Sequence, residues 1–425
     1  METKKQGRTG AMSLGGKGFV IVILSFLSCY LYSALTSDSL NITVDVFKGM
    51  GISENLTGIL PTIATICGII GSVIFGVISE KRVSRVWAIS MLGVGVFALI
   101  WSISAKTASG AIYTIGYLVC YTLSLVSAML LSFNMLANWF PRKRGVALGI
   151  ATAGFPLSAA STTAVCAAFI TNIGMFYVVY GIAAIVVAIV IFVYAKDFPE
   201  EKGAYPDNDK DFDFETARRE HEASLEYLKT SKWTIKKCLT TGRMWHLWLS
   251  VSITGFLCMG VMSNFFPKFT MAGYEQDEIL TMLAIIGIAA IPGSIFTGWL
   301  DVKIGVRNTA VIVNGCGLVV IICFLTPLRA LHYIALPFLA IMLGGSSNIM
   351  TSLTAAIWGR YDFQNAFRVI QPLNALMTGV GISVVTIVGR NAGYNVAYII
   401  MLVLQAIGFV AMLTLKVEHI DKDIR

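Results

Sequence analysis

Two stretches of the sequence place ionisable side chains where an apolar segment begins or ends. Asp38, Asn41 and Asp45 follow one another at helical spacing, so a helix would set them on one face. A second acid close by makes it easier for one carboxyl to hold a proton near neutral pH. Lys268 lies in NFFPKFT, where Pro267 would free backbone acceptors and the aromatic rings would lower the local dielectric. We expect Asp38 to carry a coupling proton, if the protein uses one; the alternative is that Asp38 only ends a helix in water. We expect Lys268 to contact an anion; the alternative is that Lys268 only extends its ammonium to water.

The remaining reactive residues form no catalytic or metal-binding pattern. The eight cysteines and four histidines show no CxxC or Cys/His spacing. The sequence contains no HExxH, GxSxG or GxxxxGKS/T, which argues against zinc hydrolysis, an esterase nucleophile and a P-loop ATPase. We therefore predict no enzyme activity, no metal and no cofactor.

Composition indicates the elements that carry these residues. The chain of 425 residues is 56% hydrophobic and 13% charged, with a mean hydropathy of +0.75, whereas a soluble domain carries about 25% charged residues. About 20 apolar residues cross the hydrocarbon layer as a helix, and only helices or closed barrels satisfy their backbone there. Because the alternating apolar and polar residues of β-barrel strands are absent, the sequence predicts an all-α integral membrane protein.

Twelve long apolar segments are separated by short polar loops. They are predicted at 18–40, 56–79, 86–105, 110–139, 145–169, 175–195, 244–271, 278–300, 308–328, 332–357, 369–390 and 393–415. The stretch between the sixth and seventh is rich in acids, Pro and Gly, and its end, KTSKWTIKKCL, mixes lysines with apolar residues as a surface segment does. We predict an N-terminal six-helix bundle at 1–196, a cytoplasmic linker at 197–243 and a C-terminal six-helix bundle at 244–425.

Lysine and arginine concentrate in alternate loops, as in NWFPRKRG at 138–145. Positive loops resist translocation, so both termini are expected in the cytoplasm of a multi-pass cell-membrane protein. A removable signal peptide has a short apolar core followed by a cleavage site with small residues. The first apolar segment lacks this pattern, so we expect it to be retained as a membrane helix. We expect a monomer in the lipid bilayer, with no nucleic-acid partner.

The two sets of six segments share landmarks at nearly one offset. Trp139 and Trp358 lie 219 residues apart, and Glu80 and Asp301 lie 221 apart. Arg85 and Arg307 lie 222 apart. Similar offsets predict a duplicated architecture, that is, two pseudo-symmetric bundles.

These loops resemble those of the major facilitator superfamily of secondary transporters. GVISEKRVSR at 76–85 is similar to the signature after the second helix, although Glu80 replaces the usual Asp and Val83 the usual Gly. GWLDVKIGVR at 298–307 is a second copy shifted by one residue. NWFPRKRGVALGIATAG and GRYDFQNAFR look like loops of the branch that contains oxalate/formate antiporters and monocarboxylate transporters.

The resemblance implies that two bundles rock about a central site, and that charges at their cytoplasmic ends pair when the inner mouth closes. The alternative is that these charges only set the topology. The predicted gating residues are Glu80, Arg85, Arg142, Arg144, Asp301, Arg307 and Arg360. Gly145, Gly149 and Ala153 recur every four residues after this loop and predict close helix packing.

The resemblance also implies that the first, fourth, seventh and tenth helices line the cavity. Their polar residues are expected to point inward, either to a ligand or to another helix. With two residues of the eleventh helix and Lys268, the substrate-binding candidates are Tyr30, Tyr32, Tyr117, Tyr121, Asn134, Asn264, Lys268, Asn348, Gln371 and Asn374. The deep parts of the predicted crossings contain no Lys, Arg, Asp or Glu, unlike carriers of that branch, which disfavours a doubly charged substrate.

We expect a carrier, secondary active or facilitative, for a small organic solute, most simply a monocarboxylate or amphipathic organic acid. Its partners would be that substrate and either a coupling proton or a counter-substrate. Two alternatives stay open: an efflux carrier for hydrophobic compounds, favoured by the uncharged cavity, and a non-transporting sensor or scaffold.

Overall fold

The structure is a computed structural model that describes residues 14–80, 82–208, 218–219, 221–223, 226–227 and 231–420. The described residues form helices and loops without a strand. Within these described residues, ten helices are long and apolar enough to cross a membrane. One of them, Arg329–Ala392, contains two crossings, and Glu54–Ile78 adds another. The twelve crossings are Gly16–Asp38, Glu54–Ile78, Val83–Thr107, Gly110–Trp139, Arg144–Ala168, Ile173–Tyr194, Gly242–Ser263, Gln276–Ile304, Val306–Leu325, 329–358, 360–392 and Tyr394–Thr414. The all-helical prediction is confirmed.

Shorter helices lie between some of the crossings. Leu40–Gly49 follows the first crossing, and Phe265–Met271 follows the seventh. Single turns at Pro199–Lys202 and Pro206–Asn208 begin the linker, and Ile235–Leu239 precedes the seventh crossing. This last helix occupies the stretch predicted to lie along the membrane surface.

The seventh crossing is shorter than predicted because the helix breaks at Asn264. Asn264 has φ −113° and ψ 12°, outside the helical range, and its side-chain Nδ2 donates to the Gly260 carbonyl at 3.1 Å. Pro267 then falls in the first turn of Phe265–Met271, where a missing N–H costs little. The predicted continuous crossing at 244–271 is therefore wrong at its end.

Gly359 joins the tenth and eleventh crossings. Its φ of 75° and ψ of −179° belong to a backbone region that residues other than glycine rarely adopt. The helix resumes at once, so Arg360 and Arg368 project from the start of the eleventh crossing. The predicted start at 369 is therefore about two turns late, because the polar sequence of a helix end looks like a loop.

Apolar side chains face outward along most crossings, as expected where lipid replaces water. Val193 and Ile89 are 75% and 61% exposed, and both lie within crossings. Inside the N-terminal half, the rings of Phe47, Trp101 and Tyr177 pack at centroid distances of 4.1 to 6.1 Å.

The two halves repeat one basic contact. Arg85 donates to the carbonyl of Phe192 at 3.3 Å, from the third crossing to the end of the sixth. Arg307 donates to the carbonyl of Leu413 at 2.5 Å, from the ninth crossing to the end of the twelfth. Matched residues make matched contacts, which supports the duplicated architecture inferred from the offsets.

Candidate functional site

The two halves touch through charged residues at one end of the molecule. We call this the basic end; it carries residues 79–80 and 82 and the loops at 140–143, 195–208 and 358–360. Arg368 of the eleventh crossing forms an ion pair with Glu80, which ends the second crossing. Arg368 is 7% exposed and Glu80 is 49% exposed. Gly76 allows this approach, because a Cβ there would lie 2.9 Å from Cβ of Arg368.

A second arginine and acid lie near each other across the two halves. Here the arginine belongs to the N-terminal half and the acid to the C-terminal half. Arg144, at the start of the fifth crossing, lies within electrostatic range of Asp301 near the end of the eighth. The Asp301 carboxylate covers Gly145 so closely that a Cβ there would lie 2.5 Å from Oδ2. Glu80 and Asp301 are thus equivalent acids, each opposite an arginine of the other half.

Arg360 connects three parts of the chain at the basic end. Its Nη1 and Nη2 donate to the two carboxylate oxygens of Glu200 at 2.7 and 2.8 Å. Its Nε donates to the carbonyl of Asn138 at 2.7 Å, and its guanidinium lies 5.1 Å from the Phe198 ring centroid. Glu200 is 8% exposed, so this two-point contact is largely removed from water. The linker therefore takes part in the contact between the halves.

The RKR turn is held by another linker acid. Asp207 is 4% exposed and accepts the backbone N–H groups of Arg142, at 3.0 Å, and Lys143, at 2.7 Å. Burial raises the pKa of the Asp207 carboxyl above its ordinary value, although these two N–H groups favour the charged form. Arg142 and Lys143 thus contribute main-chain donors, while Arg144 faces the other half.

Two predicted gating residues contact their own half. Arg85 and Arg307 donate to the carbonyls that end the sixth and twelfth crossings. Across the described parts of the chain, neither is seen with a hydrogen-bond partner in the opposite half. This placement favours a role in holding each bundle together.

A buried network of neutral groups lies next to the charged contacts, toward the middle of the crossings. Thr152 Oγ1 donates to Oδ1 of Asn348 at 2.7 Å and lies 2.6 Å from Oγ of Ser294. Asn348 Nδ2 donates to the Ser294 carbonyl at 3.2 Å, and Ser294 Oγ donates to the Gly149 carbonyl at 2.9 Å. Gly149 and Gly298 let the fifth and eighth crossings touch through backbone atoms. The close packing predicted for the glycine stripe is therefore present, and Asn348 joins the two halves.

An aromatic and hydroxyl cluster lies deeper, between the first, second and fourth crossings. Tyr32 and Tyr121 are half-buried, with ring centroids 6.1 Å apart in an edge-to-face arrangement. The Tyr121 hydroxyl lies 3.2 Å from Oγ1 of Thr65, and a Cβ at Gly379 of the eleventh crossing would touch Thr65 at 4.0 Å. This cluster therefore borders the other half of the molecule.

Several predicted polar residues are engaged within one half. The Tyr30 hydroxyl lies 3.0 Å from Ser161 Oγ and 3.1 Å from the Tyr180 hydroxyl. Tyr117 is buried and donates to the Thr36 carbonyl at 3.2 Å. These contacts fit the helix-to-helix alternative better than a ligand.

The C-terminal half uses its own predicted residues in the same way. Asn264 Oδ1 accepts from Thr386 Oγ1 at 3.0 Å, and Asn374 lies beside Gly255. Lys268 is 7% exposed and donates to Asn395 Oδ1 at 3.0 Å. Lys268 thus inserts toward the twelfth crossing instead of the other half.

Asp38 also has neighbours in its own half. Its Oδ2 accepts from Ser158 Oγ at 2.6 Å, and its Oδ1 accepts from Ser37 Oγ at 3.3 Å. The side chains of Asn41 and Asp45 lie outside the described residues, so the predicted shared face stays a prediction.

Two of the predicted substrate contacts are buried amides that keep unused hydrogen-bonding capacity. Asn134 is 1% exposed, and neither its Nδ2 nor its Oδ1 has a partner within the described residues. Gln371 is 2% exposed, and its Oε1 is likewise without one. A buried polar atom left unpaired costs about 1–3 kcal/mol, so these atoms are suited to water or to a ligand.

Comparison with known proteins decides the family. The model of the Major Facilitator Superfamily matches residues 19–367. The chain belongs to the Major Facilitator Superfamily. It is a multi-pass membrane protein and a transporter, not an enzyme, in agreement with the prediction from the loops.

Individual relatives agree with this assignment. The oxalate:formate antiporter of Oxalobacter formigenes is 25% identical over 306 residues, which span 69% of this chain and 67% of that protein. The solved structure of the proton:xylose symporter XylE superposes with a TM-score of 0.73, covering 93% of this chain and 94% of the other at 14% identity. FucP in its outward conformation gives 0.68, covering 93% and 98% at 13% identity. At such identities the superpositions establish the fold alone, with its two six-helix halves.

Sequence reasoning missed Arg368, Glu200, Asp207 and Thr152. One signal pointed to Arg368: it follows Arg144 by 224 residues, close to the offsets of the other repeated landmarks. Glu200 and Asp207 belong to an acidic linker whose general polarity conceals which acids are buried.

Proposed function

We propose that this superfamily member is a secondary carrier for a small organic acid and works by alternating access. The supporting observation is that, among the described residues, the ion pairs and hydrogen bonds between the halves lie at the basic end or beside it, including Arg368 with Glu80 and Thr152 with Asn348. A mouth closed at one end leaves the opposite end as the route of entry. With the basic end in the cytoplasm, as the lysines and arginines favour, this conformation faces outward.

The proposed substrate contacts are neutral donors near the interface of the halves. Tyr32, Tyr121, Asn134 and Gln371 supply hydroxyl and amide groups, and the latter two have buried atoms without partners. A single carboxylate can be held by such groups, whereas a dianion would need compensating cations. The relative named as an oxalate:formate antiporter supports organic acids as a substrate class.

Coupling is proposed to involve a proton or a counter-substrate. Asp38 is the proton candidate, because its hydrogen bonds to Ser37 and Ser158 would report a change of protonation to the fifth crossing. Symport would make uptake depend on a pH gradient, while antiport would make it depend on solute preloaded on the other side.

The competing proposal is an efflux carrier for hydrophobic compounds. It is favoured by aromatic contacts of Tyr32 with Tyr121 and Phe155, at centroid distances of 6.1 and 6.0 Å. An apolar ligand would use these rings without needing the buried amides.

The test is uptake into proteoliposomes of labelled monocarboxylates, a dicarboxylate, the matched neutral amides and a lipophilic dye. The proposal expects saturable uptake of a monocarboxylate, at least tenfold faster than that of its amide, and stimulation by either a pH gradient or preloaded acid. Dye transport without acid transport would favour the efflux carrier. Tight acid binding with no flux under any gradient would indicate a sensor and overturn the proposal.

A further inference from the structure

Lys268 is a buried cation without an acidic partner among the described residues. It lies in the short helix Phe265–Met271, which follows the seventh crossing, and it is 7% exposed. Its ammonium carries three donors, and the described chain offers it one hydrogen-bond acceptor, Oδ1 of Asn395 at 3.0 Å. Burial lowers the pKa of this ammonium, and no nearby acid opposes that effect. A buried charge with only a neutral partner is costly, so the site favours an added anion.

The titratable groups around Lys268 supply no negative charge to it. Lys268 and Arg329 both lie within electrostatic range of His332, a buried imidazole at the start of the tenth crossing. Glu278 is engaged elsewhere, since it lies 3.3 Å from Arg329 and accepts from the Tyr333 hydroxyl at 2.9 Å. The charges that reach this imidazole are therefore positive, which also favours an anion beside Lys268.

Two further donor groups border the ammonium. Lys268 Nζ lies 5.4 Å from the ring centroid of Tyr398, whose hydroxyl is buried and has no partner within the described residues. Asn395 precedes Tyr398 by nearly one helical turn, so both side chains lie on one face of the twelfth crossing. Because Oδ1 of Asn395 accepts from the lysine, its Nδ2 is the donor side of the same amide. An ammonium, an amide and a hydroxyl together form a donor set for an anion.

The surroundings favour an ion of a single atom. Phe265 and Phe269 flank the lysine in its own helix, and Phe324 packs against Tyr398 at a centroid distance of 6.3 Å. These three phenylalanines are at most 1% exposed, so their rings leave little room for the organic part of a carboxylate. Asn395 is exposed at the end of the molecule opposite the basic end, which gives a small ion a path from the surface.

We propose that Lys268, Asn395 and Tyr398 bind one halide ion, such as chloride, within the C-terminal half. The ion supplies the counter-charge that the described chain does not place beside Lys268, and it ties the short helix Phe265–Met271 to the twelfth crossing. It is a resident ion and not the transported acid, because Lys268 is directed away from the other half.

Binding of radioactive chloride to the detergent-purified full chain tests the proposal. Equilibrium dialysis against sodium gluconate of constant ionic strength should show saturable binding of one ion per chain. Chloride or bromide should raise the thermal unfolding temperature, and gluconate should not. Lys268→Met should lose both the binding and the shift, whereas Lys106→Met, which removes an exposed lysine, should retain both. Absence of saturable chloride binding by the wild type would overturn the proposal.

Asn395→Asp is a second test that remains decisive if Lys268→Met fails to fold. It places a carboxylate where the amide oxygen now accepts from the ammonium, so this carboxylate should replace the ion. The unfolding temperature in halide-free buffer should rise, and the halide-dependent shift should disappear. Tyr398→Phe should weaken chloride binding about tenfold, as expected for the loss of one hydrogen bond to a charged group. A halide-dependent shift that persists in Asn395→Asp would contradict the assigned site.

A competition experiment separates the halide from the transported substrate. A monocarboxylate added at millimolar concentration should leave the chloride bound. Displacement of chloride by the acid, together with loss of acid uptake in Lys268→Met, would place the substrate at Lys268 and overturn the proposal. Chloride binding in detergent needs no transport, so its failure would leave the proposed function standing, and the failure of transport would leave this site standing.

Discussion

At the scale of single residues, the pair of Glu80 and Arg368 is unequal in burial, so its two partners respond differently to substitution. Removing Arg368 leaves a half-exposed carboxylate that water can solvate. Removing Glu80 leaves a guanidinium that is 7% exposed and lacks a counter-charge. The pair itself is worth at most about 1 kcal/mol after solvent screening, but an uncompensated buried charge costs more.

We therefore expect Glu80→Gln to lower the thermal unfolding temperature more than Arg368→Gln does. Both should raise the population open at the basic end, about threefold to fivefold for Arg368→Gln, since about 1 kcal/mol of closing free energy is lost. The measurement is thermal unfolding together with labelling of a cysteine placed at Ser79. Glu278→Gln, whose partner Arg329 is exposed at the opposite end, serves as the control. Equal effects of the two gate variants would contradict the unequal burial.

A second prediction concerns two tyrosines that the sequence analysis gives the same role, contact with the substrate. Tyr121→Phe removes a hydroxyl beside Thr65 at the border of the halves, and Tyr30→Phe removes one held by Ser161 and Tyr180. We expect Tyr121→Phe to raise KM for the acid about fivefold to tenfold, which corresponds to one lost hydrogen bond of ~1–1.5 kcal/mol. Tyr30→Phe should leave KM unchanged while lowering thermal stability slightly. The reverse pattern would place the substrate on the other side of the first crossing.

At the scale of elements, the fifth and eighth crossings touch backbone to backbone. A Cβ at Gly298 would overlap the carbonyl oxygen of Gly145, and backbone atoms cannot move aside as a flexible side chain does. The contact therefore depends on the absence of a side chain, not on a strong attraction.

Gly298→Ala should force these crossings apart and reduce transport by tenfold or more. Gly287→Ala is the matched control, because it lies in the same helix with no atom within 4 Å of its added Cβ. Uptake and cysteine accessibility at the basic end would be measured for both variants. Normal uptake by Gly298→Ala would show that the closed contact is not needed in the transport cycle.

The linker segment at 199–208 contains a lysine whose contribution to folding stability should depend on pH. Burial, with the nearby charges of Lys17 and Lys196, lowers the pKa of Lys202 to about 8. The unfolded chain keeps its ordinary value near 10.5, so between these pH values the folded state binds fewer protons. Stability from this group therefore rises as the pH increases from about 8 to 10.5.

The increase should be at most about 1 kcal/mol, because Lys202 is only partly buried. We expect the difference in unfolding temperature between pH 9.5 and pH 7 to be less positive in Lys202→Met than in the wild type. Lys236→Met, an exposed lysine of the surface helix, should keep the difference of the wild type. An identical pH response in all three proteins would contradict the assigned pKa.

At the scale of the whole molecule, the proposed alternating access predicts that the two halves separate at the basic end during transport. Ser79 Oγ accepts a hydrogen bond from Gln364 Nε2 at 3.1 Å across this interface. A short, reducible thiol crosslinker between Ser79→Cys and Gln364→Cys should abolish uptake. Cleavage of this crosslinker by reduction should restore uptake. Ser161→Cys with Tyr180→Cys, both within one half, should tolerate the same crosslinker. Undiminished uptake by the crosslinked gate pair would exclude rocking at this interface.

The sequence by itself determined the helical class, the number of crossings and most of their bounds. These follow from local chemistry, since a backbone in lipid must satisfy its hydrogen bonds within one segment and so shows itself as an unbroken apolar run. Exceptions arose where a local bond competes with the helix, as at Asn264, or where a polar helix end resembles a loop, as at Arg360. The glycine stripe at 145–153 was also predictable, because small residues at helical spacing have one main use in membranes.

Only the tertiary structure decided which charges meet and which polar groups face the other half. Glu80 and Arg368 are 288 residues apart in the chain, and Arg360 and Glu200 are 160 apart, so no local pattern pairs them. Arg85 and Arg307 match the family signature as well as Glu80 does, yet each is directed to its own bundle. Likewise Tyr30 and Tyr32 differ by two positions, but the rotation of one helix directs the first to the sixth crossing and the second to the fourth. The tilt and rotation of a helix depend on packing against every neighbour at once, which is why the sequence of one segment does not determine them.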